Sequence, residues 1–205
     1  NAIEELKVAV SEIKDDCKNV VVQEYIRPRY EYLVYGVRTK QNEVIIPGGL
    51  RKIHTCSDTN NLGMMAYAYC SEFIPSQLGN FDHIKRFLNT LDYHGVFSVE
   101  FMITDDKAYF LEINLRNDGT LYCTTQAGVN IPALWAMSAT GKGIAEMSRS
   151  YKRKRTFCMN ETNYVKYTLR QQSLIKSVSE ILKTKAFSLI KWNDMRPVLA
   201  KVLPS

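Results

Sequence analysis

Two acids, an amide and a guanidinium lie at spacings suited to phosphate chemistry in the middle of this sequence. They fall in Phe97-Ser98-Val99-Glu100-Phe101 and in Phe110-Leu111-Glu112-Ile113-Asn114-Leu115-Arg116. Both stretches read as strands. Side chains alternate along a strand, so Glu112, Asn114 and Arg116 project from one face while Leu111, Ile113 and Leu115 project from the other. A turn of three residues (Asp105-Asp106-Lys107), or of five, sets Glu100 directly across from Glu112 and Ser98 across from Asn114. A two-residue turn separates the acids. Carboxylates that face each other in a buried ladder need one proton or one cation between them. With the Asn114 amide oxygen they form a hard-oxygen set that suits Mg²⁺, an ion usually shared with substrate phosphates. Glu100, Glu112 and Asn114 are therefore the candidate metal residues. Arg116 is the candidate catalytic clamp, able to hold a phosphoryl or carboxylate oxygen in two places. Taken singly, each acid is also compatible with a half-exposed strand position and Arg116 with a surface ion pair; the combination carries the reading.

The elements that position these residues can be read outward from them. Ahead of the first strand, Phe81, Ile84, Phe87, Leu88 and Leu91 form a helical stripe. After the second strand, Ile131-Pro132-Ala133-Leu134-Trp135 opens a helix with proline in its first turn. Upstream, residues 3–17 carry Ile3, Leu6, Val10 and Ile13 at helical period, and Val20-Val21-Val22-Gln23-Glu24-Tyr25-Ile26 reads as a buried strand stopped at Arg27-Pro28-Arg29. Residues 30–39 and 43–46 read as a hairpin, turned at Lys40-Gln41-Asn42 and closed by Pro47-Gly48-Gly49. Residues 63–73 are assigned to a strand, although periodicity does not separate strand from helix there. Hairpins dominate, which predicts an α+β fold with a mainly antiparallel sheet and flanking helices.

Composition narrows the class. The 205 residues are 45% hydrophobic and 23% charged, which excludes a disordered, collagenous or coiled-coil chain. No apolar run reaches the length of a membrane span, and a cytoplasmic location is expected. Residues 1–140 hold 13 basic and 17 acidic side chains, whereas 141–205 hold 14 basic and 4 acidic, so a boundary is expected near Gly141-Lys142-Gly143. The basic run Tyr151-Lys152-Arg153-Lys154-Arg155 could engage nucleic acid or another polyanion, but no nucleic-acid module accompanies it. Cys17, Cys56, Cys70, Cys123 and Cys158 show no paired spacing and are expected to be reduced thiols. His54, His83 and His94 show no ligand spacing. The chain opens at Asn1-Ala2 without methionine, as an excised piece or a tagged one would.

At Glu100, Glu112, Asn114 and Arg116 the sequence resembles the ATP-grasp superfamily, whose catalytic sheet carries an acid on one strand and acid-x-Asn-x-Arg on the next. The resemblance extends to Val20–Ile26, similar to the family's hinge strand, and implies that Gln23, Glu24, Tyr25 and Ile26 meet the adenine. It likewise implies that Glu31 accepts a ribose hydroxyl. The runs Leu115-Arg116-Asn117-Asp118-Gly119, Gln126-Ala127-Gly128-Val129-Asn130-Ile131-Pro132 and Asp194-Met195-Arg196-Pro197 are similar to the carboxylate-amine ligase branch that includes D-aspartate ligase and short relatives of the carbamoyl phosphate synthase large chain. This implies a ligase that uses ATP and Mg²⁺, with Mn²⁺ as a substitute, to activate a carboxylate as acyl phosphate and join it to an amine. A nucleotide-linked precursor is one candidate substrate. The expected divisions are 1–26 (end of the first nucleotide-holding subdomain and hinge), 27–142 (catalytic subdomain) and 143–205 (basic C-terminal extension). The family's preceding domain, glycine-rich loop and phosphate-gripping lysines have no counterpart here, so the chain is expected to be the C-terminal half of a ligase, inactive alone. Arg51-Lys52-Ile53-His54 is either a further source of phosphate or substrate charge or a solvated loop. The alternative is a non-catalytic module that binds nucleic acid through the basic tail.

Overall fold

The computed structural model describes residues 2–13, 19–56, 63–142, 144, 147, 149–152, 154–171, 173–191 and 193–202. Among the described residues seven strands form one sheet, β1 (Tyr30–Arg38), β2 (Val44–Cys56), β3 (Met64–Ser71), β4 (Gly95–Ile103), β5 (Ala108–Asn114), β6 (Thr156–Met159) and β7 (Thr184–Phe187). Their order is β5-β4-β1-β2-β3-β6-β7, and every neighbouring pair is antiparallel except β6 and β7. The fold is α+β with a mainly antiparallel sheet, as the hairpin-rich order predicts. Among the described residues no helix is long and apolar enough to cross a membrane.

Helices cover both faces. On one, Leu33, Tyr35, Val37 and Leu50 pack with Leu121, Cys123, Ile131 and Leu134 from α3 (Tyr122–Ala127) and α4 (Ile131–Ala139) and the turns before them. The Asn130 side chain caps α4 by accepting from the Ala133 amide at 3.0 Å, and Pro132 costs no hydrogen bond in the first turn. On the other face Tyr32, Val34, Phe97 and Val99 pack with Ile84 and Leu88 of α2 (Asp82–Thr90). Each of those two aliphatic side chains contributes about 2 kcal/mol by burial, while His83, Lys85 and Arg86 keep the outer face wet.

Three expectations are corrected. Pro47-Gly48-Gly49 does not close the hairpin: β2 runs through it to Cys56. The register passes from Tyr35 opposite Gly48 to Val37 opposite Ile45, so Ile46 and Pro47 bulge against Gly36, a place where proline removes no ladder bond. Gly48 has φ 136°, and a β-carbon there would meet the Ser71 carbonyl of β3. The solvated-loop alternative for Arg51–His54 falls with that turn, because these residues are strand. Val20–Ile26 is not a buried strand either: it belongs to no strand or helix, with Val21 83% and Tyr25 65% exposed. A strand needs a neighbour, and among the described residues no strand pairs with this segment.

Helix α1 (Ala2–Ile13) forms with the expected period, though Lys14 to Lys18 lie outside the described residues. Past α4 the chain returns to the same sheet through β6 and β7, with α5 (Glu161–Gln171) and α6 (Leu174–Lys183) between them and α7 (Arg196–Val202) at the end. Four of the cysteines are buried free thiols, and Cys17 lies outside the described residues.

Candidate functional site

The β4–β5 register places Glu100 opposite Glu112 and Ser98 opposite Asn114. The connection is neither three residues nor five. Ile103 pairs with Ala108, leaving four residues, 104–107, and the pairing of the acids is restored by a bulge in which Leu111 is the extra residue. Without that bulge Glu112 would turn to the other face.

The paired acids take different partners. Asn114 donates its amide to Glu112 at 2.7 Å on the open edge strand. Glu100 instead receives the Lys52 ammonium, which also donates to Glu31 and, at 3.2 Å, to the Gly63 carbonyl. Lys52 and Glu31 sit on β2 and β1 and reach the same face as Glu100; the three side chains are 8%, 5% and 12% exposed. The cation required between opposed carboxylates is therefore present as a lysine on one of them. Burial raises the Glu100 carboxyl to about 7; Lys52 opposes that shift and Glu31 adds to it. For Lys52 burial acts downward, but Glu100 and Glu31 outweigh it and hold the ammonium above its ordinary range.

Asp118 extends this polar row. It accepts from Ser98 at 3.1 Å and from the Thr120 backbone at 2.7 Å, and Thr120 in turn meets the buried Tyr35 hydroxyl at 2.5 Å. Glu31 and Lys52 also form the wall of a cleft of about 500 Å³ shared with Tyr25, Arg27, Arg29 and Tyr30. Of the four expected adenine residues Tyr25 reaches that lining, and Gln23, Glu24 and Ile26 do not. Arg116 is exposed beyond the end of β5, donates to the Asn117 carbonyl at 3.1 Å, and borders a separate hollow of about 340 Å³ with Tyr93, Pro132 and Trp135. It is not brought into contact with Glu112 or Asn114.

Among the described residues no three His, Cys, Asp or Glu side chains converge as a metal cage. Two acids and an amide leave coordination positions to phosphate oxygens and water, which fits Mg²⁺ better than a metal held by protein alone. The apolar hollow of about 550 Å³ between α2 and β4–β5 lies on the opposite face and holds none of these groups.

Lys52 is expected from sequence only as one of four residues, Arg51–His54, that could supply phosphate or substrate charge, and Asp118 only as part of a family-like run; neither is assigned to the paired acids. A continuous β2 gives Lys52 the parity of Leu50 and hence the site face, a signal hidden by the turn-like Pro-Gly-Gly. Asp118 follows the strand in an irregular loop and carries no periodicity. The basic run is partly built into the body: Tyr151 is buried and Arg155 stacks 4.9 Å over Tyr69.

Residues 70–164 match the family described as ATP-grasp in the biosynthetic pathway with Ter operon. Among solved structures, the phosphoribosylaminoimidazole carboxylase ATPase subunit from Aquifex aeolicus superposes with a TM-score of 0.54 at 21% identity, over 78% of this chain and 45% of that one. The N5-carboxyaminoimidazole ribonucleotide synthetase from Thermus thermophilus gives 0.51 at 16%, over 65% and 36%. The ADP-bound biotin carboxylase domain of a thermophilic 2-oxoglutarate carboxylase gives 0.52 at 16%, over 71% and 33%. No curated protein matches the sequence. The chain spans less than half the length of these structures. The matched residues include the two strands that carry the paired acids, and the structures show a shared fold.

Proposed function

We propose that this chain is the nucleotide-binding and Mg²⁺-binding catalytic portion of a ligase that activates a carboxylate as its acyl phosphate and joins it to an amine. The observation that carries the reading is the pairing of Glu100 with Glu112 beside Asn114, on a face that also presents Lys52 and Asp118. The ADP complex of a protein of similar fold supports the choice of nucleotide.

In this reading Glu100, Glu112 and Asn114 hold Mg²⁺, which when bound neutralises the charge on the β- and γ-phosphates. Mn²⁺ is the expected substitute. Tyr25 and Glu31, on the wall of the 500 Å³ cleft, lie toward the nucleoside, with Gln23, Glu24 and Ile26 joining it once that segment gains a neighbouring strand. Arg116 swings from the Asn117 carbonyl toward the transferred phosphoryl group, where its fixed charge steadies what the amine will displace. The chemistry asks the protein for position and charge, and attack of the carboxylate on the γ-phosphate gives ADP and the acyl phosphate. Residues 1–26, 27–142 and 143–205 act as hinge side, catalytic subdomain and extension, with an upstream portion completing the site, in the cytoplasm.

The test is a panel of carboxylates and amines incubated with ATP and this chain joined to its upstream portion. ADP that forms with an amide product, in equal amounts and only with both substrates, is the expected outcome. Nucleotide cleavage indifferent to carboxylate and amine would contradict the ligase reading.

A further inference from the structure

Lys52 has three ammonium hydrogens and all three are in use, toward Glu31, Glu100 and the Gly63 carbonyl. Its side chain starts on β2 and passes β1 to reach β4, two strands away in the sheet. A lysine that served only to balance Glu31, its neighbour across the β1–β2 ladder, would have no need to reach the acid opposed to Glu112. The Lys52 side chain is 8% exposed, so water has little access to replace these acceptors if they are lost.

A dication arriving alone at Glu100 meets this ammonium. Either it stays close to a like charge in a poorly solvated site, or it expels Lys52 from its partners with nothing to take their place. A polyphosphate removes the conflict, because its oxygens accept the hydrogens that Glu100 gives up. We propose that Lys52 is an internal counter-ion that occupies Glu100 in the empty site and moves to the nucleotide's phosphates when the divalent ion takes its place, so that the metal binds together with the nucleotide and not ahead of it. This rests on the reading of Glu100 as a metal-facing acid in a nucleotide site. It makes the affinities of ion and nucleotide raise one another by the same factor, as linkage requires.

The proposal is tested on this chain with Mn²⁺ and a non-hydrolysable ATP analogue, followed by the electron paramagnetic resonance of bound Mn²⁺ and by melting temperature. In Lys52→Met, Mn²⁺ alone binds about tenfold or more tightly than in the wild type, and the analogue binds more weakly. A lysine with a purely structural role would not move the two ligands in opposite directions. Lys52→Gln retains amide hydrogens for the acids, stands in if the Met variant does not fold, and is expected to show the same pair of shifts. The wild type decides the matter independently: Mn²⁺ alone leaves its melting temperature unchanged. A rise with Mn²⁺ alone that Glu100→Gln abolishes would overturn the proposal, as would folded Lys52 variants whose Mn²⁺ affinity is no tighter than the wild type's. Failure of the wild type to bind the analogue even with Mn²⁺ would instead sink the nucleotide reading, while the comparison with Mn²⁺ alone would still decide the role of Lys52.

Discussion

Glu100 stands directly across the β4–β5 ladder from Glu112, yet its carboxylate is held by a lysine that starts two strands away. The sheet has thus brought two acids together and satisfied one of them from within. Glu112 stays on the exposed edge with Asn114 as its partner.

Removal of the lysine leaves Glu31 and Glu100 buried without their cation. Lys52→Ala is expected to lower the unfolding free energy by about 3 kcal/mol. Urea denaturation checks this, and combining Lys52→Ala with Glu31→Gln should return part of the loss, because the deserted charge is then gone.

Stability should fall as pH rises through the window in which Glu100 titrates. Its folded carboxyl sits at about 7, above the ordinary 4.5, so between those values the folded state holds a proton that the unfolded state has released. The contribution is fully present below about 4.5 and is lost as pH approaches 7. Glu100→Gln should flatten this slope, with a difference on the order of 2 kcal/mol between wild type and variant across the window. Denaturation midpoints measured from pH 4.5 to 7.5 give the comparison.

The C-terminal strands and helices are pinned to β2 by a second buried pair. His54 Nε2 meets Glu180 Oε1 at 2.9 Å, Tyr164 donates to the other carboxylate oxygen at 2.6 Å, and the His54 ring stacks on Tyr167. His54→Ala removes both the polar partner and the stack, and is expected to cost about 2 kcal/mol. Hydrogen exchange should speed up in α6 more than in α2, which packs on β1 and β4 away from this pair.

That Glu112 and Asn114 share one face was legible from strand alternation, whereas their pairing with Glu100 and Ser98 rested on a turn of three or five residues. The turn length itself was not legible, and the bulge at Leu111 compensated for it. Lys52 was hidden by Pro47-Gly48-Gly49, the strongest local turn signal in the region, which tertiary pairing with β1 and β3 turned into a bulged strand. Asp118 lies in a loop, where its place beside Ser98 depends on contacts that no periodicity records. Val20–Ile26 has the composition of a strand, but composition cannot provide the neighbour that makes one. Arg116 shares the expected parity of Asn114, yet the strand ends at Asn114, and parity says nothing past that point.

The most direct measurement is calorimetric titration of a non-hydrolysable ATP analogue, with and without Mg²⁺, into the wild-type chain and into the Glu100→Gln, Glu112→Gln double variant. Binding that strengthens with Mg²⁺ in the wild type and loses that dependence in the variant is the expected result. Equal binding by both proteins, indifferent to Mg²⁺, would contradict the assignment of the paired acids as the metal and nucleotide site.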